Sequence, residues 1–391
     1  MTLHASNTKA TGSSQAPSLE ILPAERGQAR RQFLHLPWSL YNRDPTWVPP
    51  LVLERKEHLS ARNPYFRHAD VRTWVARRAG RPVGRISAQV DRLHLERYDD
   101  ATGFFGLLEA QDDLEVFRAL FATAEGWLRE QGMRRVRGPF NFSINEECGL
   151  LVEGFDTPAV IMMGHAPPYY AKRVAEQGYD PVQDLLAYRI HTDFTAPPAL
   201  GRLADRVAPR VKLRPMNRRK FQADLAIIRD IFEDAWSGNW GFIPFTDEEF
   251  TALGKNLKLL VPADFVRIAE VDGEPAAMMV VFPNLNEAIR DLNGRLFPLG
   301  WLKLLWRLKV RGLKTGRVPL MGVRKRFQNS RLGAVLALMM ITSLQPAVRR
   351  RGMEEAEMSW ILESNKGMRS IIESIGGWPY KRYRIYEKNL N

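Results

Sequence analysis

The sequence predicts an α/β (α+β) protein made of two tandem copies of one unit, each a mixed central sheet flanked by helices. Three observations predict it. First, VARRAGRPVGRISAQV (75–90) and IAEVDGEPAAMMVVFP (268–283) share one pattern, with Ala76, Gly80 and Pro82 matching Ala269, Gly273 and Pro275 at an offset of 193. Each reads as strand, tight Gly turn, strand. Second, EQGYDPVQDLLAYRI (176–190) and SIGGWPYKRYRIY (374–386) both pass from a helix end through Gly and an aromatic into a strand with Tyr-Arg-Ile, at an offset of 195. Third, strands alternate with helices throughout, as in layered α/β and α+β folds. Two matches at nearly one offset favour duplication.

Taken in order, each half gives a strand, one or two helices, the hairpin, a strand, a helix, a strand, a helix and a closing strand. In the first half the helix 114–131 follows the strand 103–110, with Leu114, Phe117, Leu120, Phe121, Ala124 and Leu128 on one face. In the second half the helix 332–343 follows the strand 319–324. A chain of 391 residues exceeds what one core usually carries. The expected units are 18–195 and 211–391, joined by a polar, proline-containing linker at 196–210. Residues 1–17 are small and polar, lack the apolar core of a secretion signal, and read as a disordered tail.

The net charge of +13 implies an anionic partner: a nucleic acid, a membrane surface or a phosphate-bearing co-substrate. Cys148 is the only cysteine, so no intrachain disulfide forms and a reducing compartment fits. The longest uncharged run, 332–348, contains Ser343, Gln345 and Pro346 and is short for a membrane span; it reads as a buried helix. A cytoplasmic protein with neither signal peptide nor transmembrane helix is therefore expected. The seven histidines show no metal-ligand spacing, and no metal is expected.

The stretch GVRKRFQNSRLGAVL (322–336) runs from a basic loop into an apolar helix with no acidic residue. A helix start collects unpaired N–H groups and the positive end of the helix dipole, and so holds phosphate. Gln328–Gly333 reads Q-x-x-R-x-G, which resembles the pyrophosphate loop of GNAT acyltransferases, with Arg331 where that pattern has glycine. The candidate residues for the co-substrate are Val323, Gln328, Asn329, Ser330, Arg331, Leu332 and Gly333, with Asn365 further on. The corresponding segment of the first half, Glu109 to Asp113, carries three carboxylates that would repel a diphosphate, so only the second half is expected to hold it.

Two further segments stand out. GPFNFSINEECGLLVE (138–153) clusters Asn141, Ser143, Asn145 and Glu147, candidates for binding an acceptor together with Trp240 of NWGFIPFT (239–246). Residues 295–326 hold ten Lys/Arg and no Asp/Glu; Leu302, Leu305, Trp306 and Leu313 alternate there with Lys303, Arg307, Lys309 and Arg311. Such a segment suits a membrane interface, and a peripheral contact with an anionic membrane is expected through 296–317. A nucleic-acid partner is not expected, since no RNA-binding signature is present.

The stretches GPFNFSINEECGLLVEGFDTP, PPYY (167–170), NWGFIPF and WILESNKGMRSIIESIGGWPYKRYRIYEK resemble the bacterial ceramide synthase-like family of the GNAT superfamily, over nearly the whole chain after the tail. The resemblance implies an N-acyltransferase that takes an acyl group from acyl-CoA, as co-substrate, to the amine of sphinganine or 3-ketosphinganine. GNAT enzymes often carry a tyrosine acid near the position of Ile372 or Glu373 here, so that role is open to Tyr380, Tyr383 or Glu373. Glu357 and Glu363 are the candidate bases. Two other readings share these features: a Fem-like transferase using aminoacyl-tRNA, and a non-catalytic pair of degenerate GNAT units that binds lipid.

Overall fold

The computed structural model describes residues 18–391; the expected tail at 1–17 lies outside them. The strands are β1 (Leu19–Pro23), β2 (Ala69–Arg78), β3 (Arg81–Asp91), β4 (Thr102–Ala110), β5 (Arg135–Gly138), β6 (Phe140–Asn141), β7 (Glu147–Cys148), β8 (Leu150–Glu153), β9 (Asp180–His191), β10 (Val211–Pro215), β11 (Val266–Val271), β12 (Glu274–Pro283), β13 (Thr315–Val323), β14 (Glu355–Leu362) and β15 (Trp378–Asn389). They form one sheet in the order β1-β2-β3-β4-β5-β15-β9-β14-β13-β12-β11-β10, with β8 on β15; β6 and β7 make a separate ribbon.

The duplicated hairpins are β2–β3 and β11–β12. Both turn through two residues with positive φ, Ala79-Gly80 in one and Asp272-Gly273 in the other. That is the geometry a two-residue hairpin needs, and glycine adopts it without strain. The two closing strands, β9 and β15, lie side by side and antiparallel at the centre of the sheet. Each also pairs with the other half: β15 with β5, β9 with β14. The halves have therefore exchanged their last strands.

Side chains alternate across a strand, and β9 uses both faces. Leu185 and Ala187 belong to the first core with Tyr383 and Ile385. Leu186, Tyr188 and Ile190 belong to the second. The expected helices are present as Leu114–Glu130 and Arg331–Arg350. By length and composition alone Arg331–Arg350 is apolar enough to cross a membrane, but 56% of its apolar window is buried in the protein. Leu336, Leu338, Met340, Ile341 and Leu344 pack in the second core.

The basic segment departs from a regular amphipathic helix. It forms a short helix, Gly300–Trp306, continued by a π-turn over Arg307–Arg311. Leu302, Leu305 and Trp306 are exposed as expected, whereas Leu313 lies beyond the helix and is buried. Lys303 and Arg307 both bind Asp291, which fastens the helix to the segment before it.

Candidate active site

In the second half, β13 and β14 pair in parallel over Thr315–Val318 and Glu355–Met358 and then part. On its other side β13 changes register with β12 between Val280 and Phe282, so β13 carries an extra residue near the fork. The fork opens a slot of about 80 Å³, lined by Val318, Pro319 and Met321 from β13, Met358–Leu362 from β14, Trp236, and Asn365. Asn365 faces the slot while its side chain caps the helix Lys366–Ser374 through the Met368 amide at 3.1 Å. Pro319 has no N–H, so past the fork the first backbone donor of this strand is that of Leu320.

Past the slot, β13 runs into the candidate phosphate loop. Gln328 Nε2 donates to the Val323 carbonyl at 2.7 Å and to the Ala235 carbonyl at 3.0 Å, which ties the loop to the strand and to the helix Phe221–Trp236. Ser330 caps the helix Arg331–Arg350: its Oγ accepts from the Gly333 amide at 3.1 Å and donates to the Phe327 carbonyl. A Cβ on Gly333 would lie 2.1 Å from that carbonyl, so only glycine closes this turn. Among the described residues the amides of Asn329, Ser330, Arg331 and Leu332 have no protein acceptor. Unpaired amides at a helix start are the kind of donors that can hold an anion. The Arg331 side chain is exposed beside them.

The first half lacks this arrangement. Asp113 caps the equivalent helix with its own carboxylate, accepting from the amides of Glu115 and Val116. Its β4–β5 fork is filled by the chain itself. A Cβ on Gly106 would lie 1.7 Å from the Phe140 carbonyl, and Asn141 Oδ1 accepts from the Leu107 amide at 2.7 Å.

A cavity of about 650 Å³ lies between the halves and shares Trp236, Pro319 and Trp360 with the slot. Its polar lining is acidic, although the whole chain carries +13. Glu54, Glu57, Glu109, Glu146, Glu147 and Glu249 face it, against Arg55, Arg85 and Arg317. Asn141, Ser143, Asn145 and Glu147, the candidates for binding an acceptor, line it. Burial opposes charge on Glu147, yet Arg55 at 3.4 Å and a hydrogen bond from Asn141 hold its carboxyl below the usual range. Burial raises the Glu109 pKa, against Arg85 and the hydroxyls of Tyr41 and Tyr170, both of which donate to it. His58 Nε2 meets Glu146 at 2.6 Å.

Other expected residues lie elsewhere. Trp240 does not line this cavity; its ring stacks under the Arg137 guanidinium at 4.9 Å. From the same motif Phe245 reaches the cavity, and the Ile243 carbonyl accepts from Asn145 at 3.0 Å. Glu363 is exposed and bonds Arg382 at 2.9 Å, away from both spaces, because the strand ends before it. Glu357 is buried behind the wall, with one oxygen taken by Ser359 Oγ and the other by the Tyr380 hydroxyl. Ser359 in turn accepts from Arg317 Nε at 2.9 Å. Of the alternative acids, Tyr383 is fully buried with no partner for its hydroxyl, and Glu373 accepts from Tyr188 at 2.6 Å. Arg317, His58, Arg55 and Tyr41 were not foreseen. Arg317 had a signal: it is one cation inside the otherwise uncharged run TGRVPLMGV (315–323).

The duplicated units and the forked strands define a tandem GNAT fold, and of its two equivalent helix starts among the described residues only the second leaves its amides open. Among solved structures, a tandem GNAT protein from the clavulanic acid biosynthesis pathway matches 96% of this chain and 99% of its own at a TM-score of 0.58 and 15% identity. A glucosamine N-acetyltransferase region of a fungal β-N-acetylglucosaminidase matches at 0.59 over 98% of this chain and 40% of its own, with 12% identity. No family model matches the sequence. Protein YghO of Escherichia coli (strain K12) is 53% identical over 361 residues, 92% of this chain and 93% of that protein. Bacterial ceramide synthase of Caulobacter vibrioides is 45% identical over 375 residues, 95% of this chain and 98% of that protein. The chain belongs to the bacterial ceramide synthase family.

Proposed function

We propose that the protein transfers an acyl group from acyl-CoA to the amine of a sphingoid base, sphinganine or 3-ketosphinganine, giving a ceramide or its 3-oxo form. The observation that carries this reading is that the slot and the acid-lined cavity adjoin, sharing Trp236, Pro319 and Trp360 in their linings. One end suits a phosphate-bearing thioester, and the other suits a long-chain cation.

The amides of Asn329 to Leu332 would bind the diphosphate, and the β13–β14 fork would take the pantetheine arm. The amine nitrogen must lose a proton before it attacks the thioester carbon. The C–S bond then breaks and the thiolate leaves, taking a proton. Glutamates facing the cavity attract the ammonium form and offer proton acceptors. Glu357 can take a proton only through Ser359 or Tyr380, whose hydroxyls occupy it. It is a positioning and relay group in this reading. No covalent enzyme intermediate is required, since holding both substrates in register supplies much of the rate.

In this reading the protein works in the cytoplasm, at the inner face of the membrane that holds its acceptor. The lone cysteine suits that compartment. The test is to incubate the purified protein with palmitoyl-CoA and sphinganine and to follow free CoA and N-acyl product by mass spectrometry. Stoichiometric release of both is expected. No product, or product formed only from aminoacyl-tRNA, overturns the reading.

A further inference from the structure

Seven large apolar side chains lie exposed within fourteen residues: Phe297, Leu299, Trp301, Leu302, Leu305, Trp306 and Val310, each 45–74% accessible. Single exposed apolar residues are ordinary, but a dense patch marks a binding surface. Arg295, Lys309 and Arg311 rim it, exposed and without an acidic partner among the described residues. The patch also has a floor. Leu304, on the inner side of the same helix, lines the 650 Å³ cavity with Leu285 and Ile289 from the segment beneath.

We infer that this surface docks on an anionic lipid bilayer and that the helix Gly300–Trp306 frames the portal through which the lipid acceptor enters. The portal half of the inference rests on the proposed acyl transfer; the docking half does not. Three features select a bilayer over another occupant. Trp and Leu beside Lys and Arg match the composition of an interface, where aromatic rings sit among headgroups. The unpaired cations complement an anionic leaflet. The patch covers the cavity wall, so a lipid leaving the membrane here crosses no water. The bidentate Arg307–Asp291 pair, at 2.6 and 2.9 Å, keeps the helix in place while its outer face stays free.

The experiment is co-sedimentation of the full chain with phosphatidylcholine vesicles, with and without phosphatidylglycerol, at low and high salt. The wild type is expected to bind the anionic vesicles and to be released by salt. The pair Trp301→Ser with Trp306→Ser, and separately Lys309→Glu with Arg311→Glu, should each weaken binding on the order of tenfold or more. Both pairs should keep the wild-type melting temperature and turnover of a detergent-dispersed amine, while losing turnover of an amine presented in vesicles. A wild type that stays in the supernatant with anionic vesicles at low salt overturns the docking, even if it acylates the dispersed amine. Undiminished binding by the variants overturns it too, as does light scattering that shows a dimer which the tryptophan pair dissolves. Vesicle binding without acylation of any amine overturns the portal and the proposed function but leaves the docking standing.

Discussion

Reversing the charge at Arg331 tests the phosphate cradle without disturbing the fold. The side chain is exposed at the first turn of the helix Arg331–Arg350, a turn that contains no acidic residue. A glutamate there favours the helix dipole, so Arg331→Glu should leave stability unchanged or raise it by about 0.3–1 kcal/mol. Its effect on acyl-CoA is opposite. Unit charges about 6 Å apart in a water-like dielectric interact by about 0.7 kcal/mol. Changing the side chain by two charges opposite a diphosphate of about two charges gives about 3 kcal/mol before screening. A Debye length of about 8 Å at physiological salt reduces this to about 1.3 kcal/mol, a factor of about ten. The KM for acyl-CoA should therefore rise about tenfold with kcat nearly constant, and Arg331→Ala should show about half that effect in free energy. The assay is initial-rate kinetics with acyl-CoA varied at a saturating amine, repeated at high salt, where the difference should shrink. A KM within twofold of wild type would refute the placement of the diphosphate. So would a change that salt does not move.

Other outcomes follow from the site. Glu357→Gln keeps shape but removes the negative charge and leaves one acceptor oxygen for the two hydroxyls of Ser359 and Tyr380; kcat should fall on the order of a hundredfold or more with a KM shift of only a few-fold, whereas Glu363→Gln should leave both unchanged. Equal kcat values for the two variants would remove Glu357 from the chemistry. His68 joins Asp91 in the first half to Glu249 in the second, each at 3.0 Å. Burial lowers its pKa, but the two carboxylates overcome this and carry it from 6.5 up to about 9. A pKa raised by folding stabilises fully below about 6.5, and that stability is lost as pH rises through about 9. The contribution has a ceiling of about 3 kcal/mol, so denaturant titrations should show stability falling over that window in the wild type and not in His68→Gln. Burial pushes the Cys148 thiol up to about 12. Alkylation of the native protein at pH 8 should be slow, and Cys148→Ala should retain turnover; a dead variant that still folds would reopen a role for the thiol.

The repeat was legible because turn chemistry is local. Gly80 and Gly273 announce their hairpins wherever the strands end up. The capped helix start was legible for the same reason: a cap, a glycine and a helix lie within six residues. The exchange of β9 and β15 was not, because Tyr-Arg-Ile looks the same whichever neighbour it pairs with. Nor was the cavity, whose lining joins Glu54, Glu147 and Glu249, residues far apart in sequence and united only by the seam. Glu363 misled because it sits one residue past the end of a buried strand, where the chain turns to solvent. Trp240 misled because an aromatic beside glycine reads alike as a pocket floor or as a cover for Arg137.

The crossed-over closing strands have a consequence for the history of the chain. Neither copy, released alone, could complete its own sheet, so the duplicated unit cannot revert to a lone module by losing one half. The first copy, whose equivalent helix start is capped by Asp113, completes the shared sheet and supplies Glu109 and Glu147 to the cavity. Expressing 18–210 and 211–391 as separate polypeptides should give two insoluble pieces and, when they are made together, one folded particle.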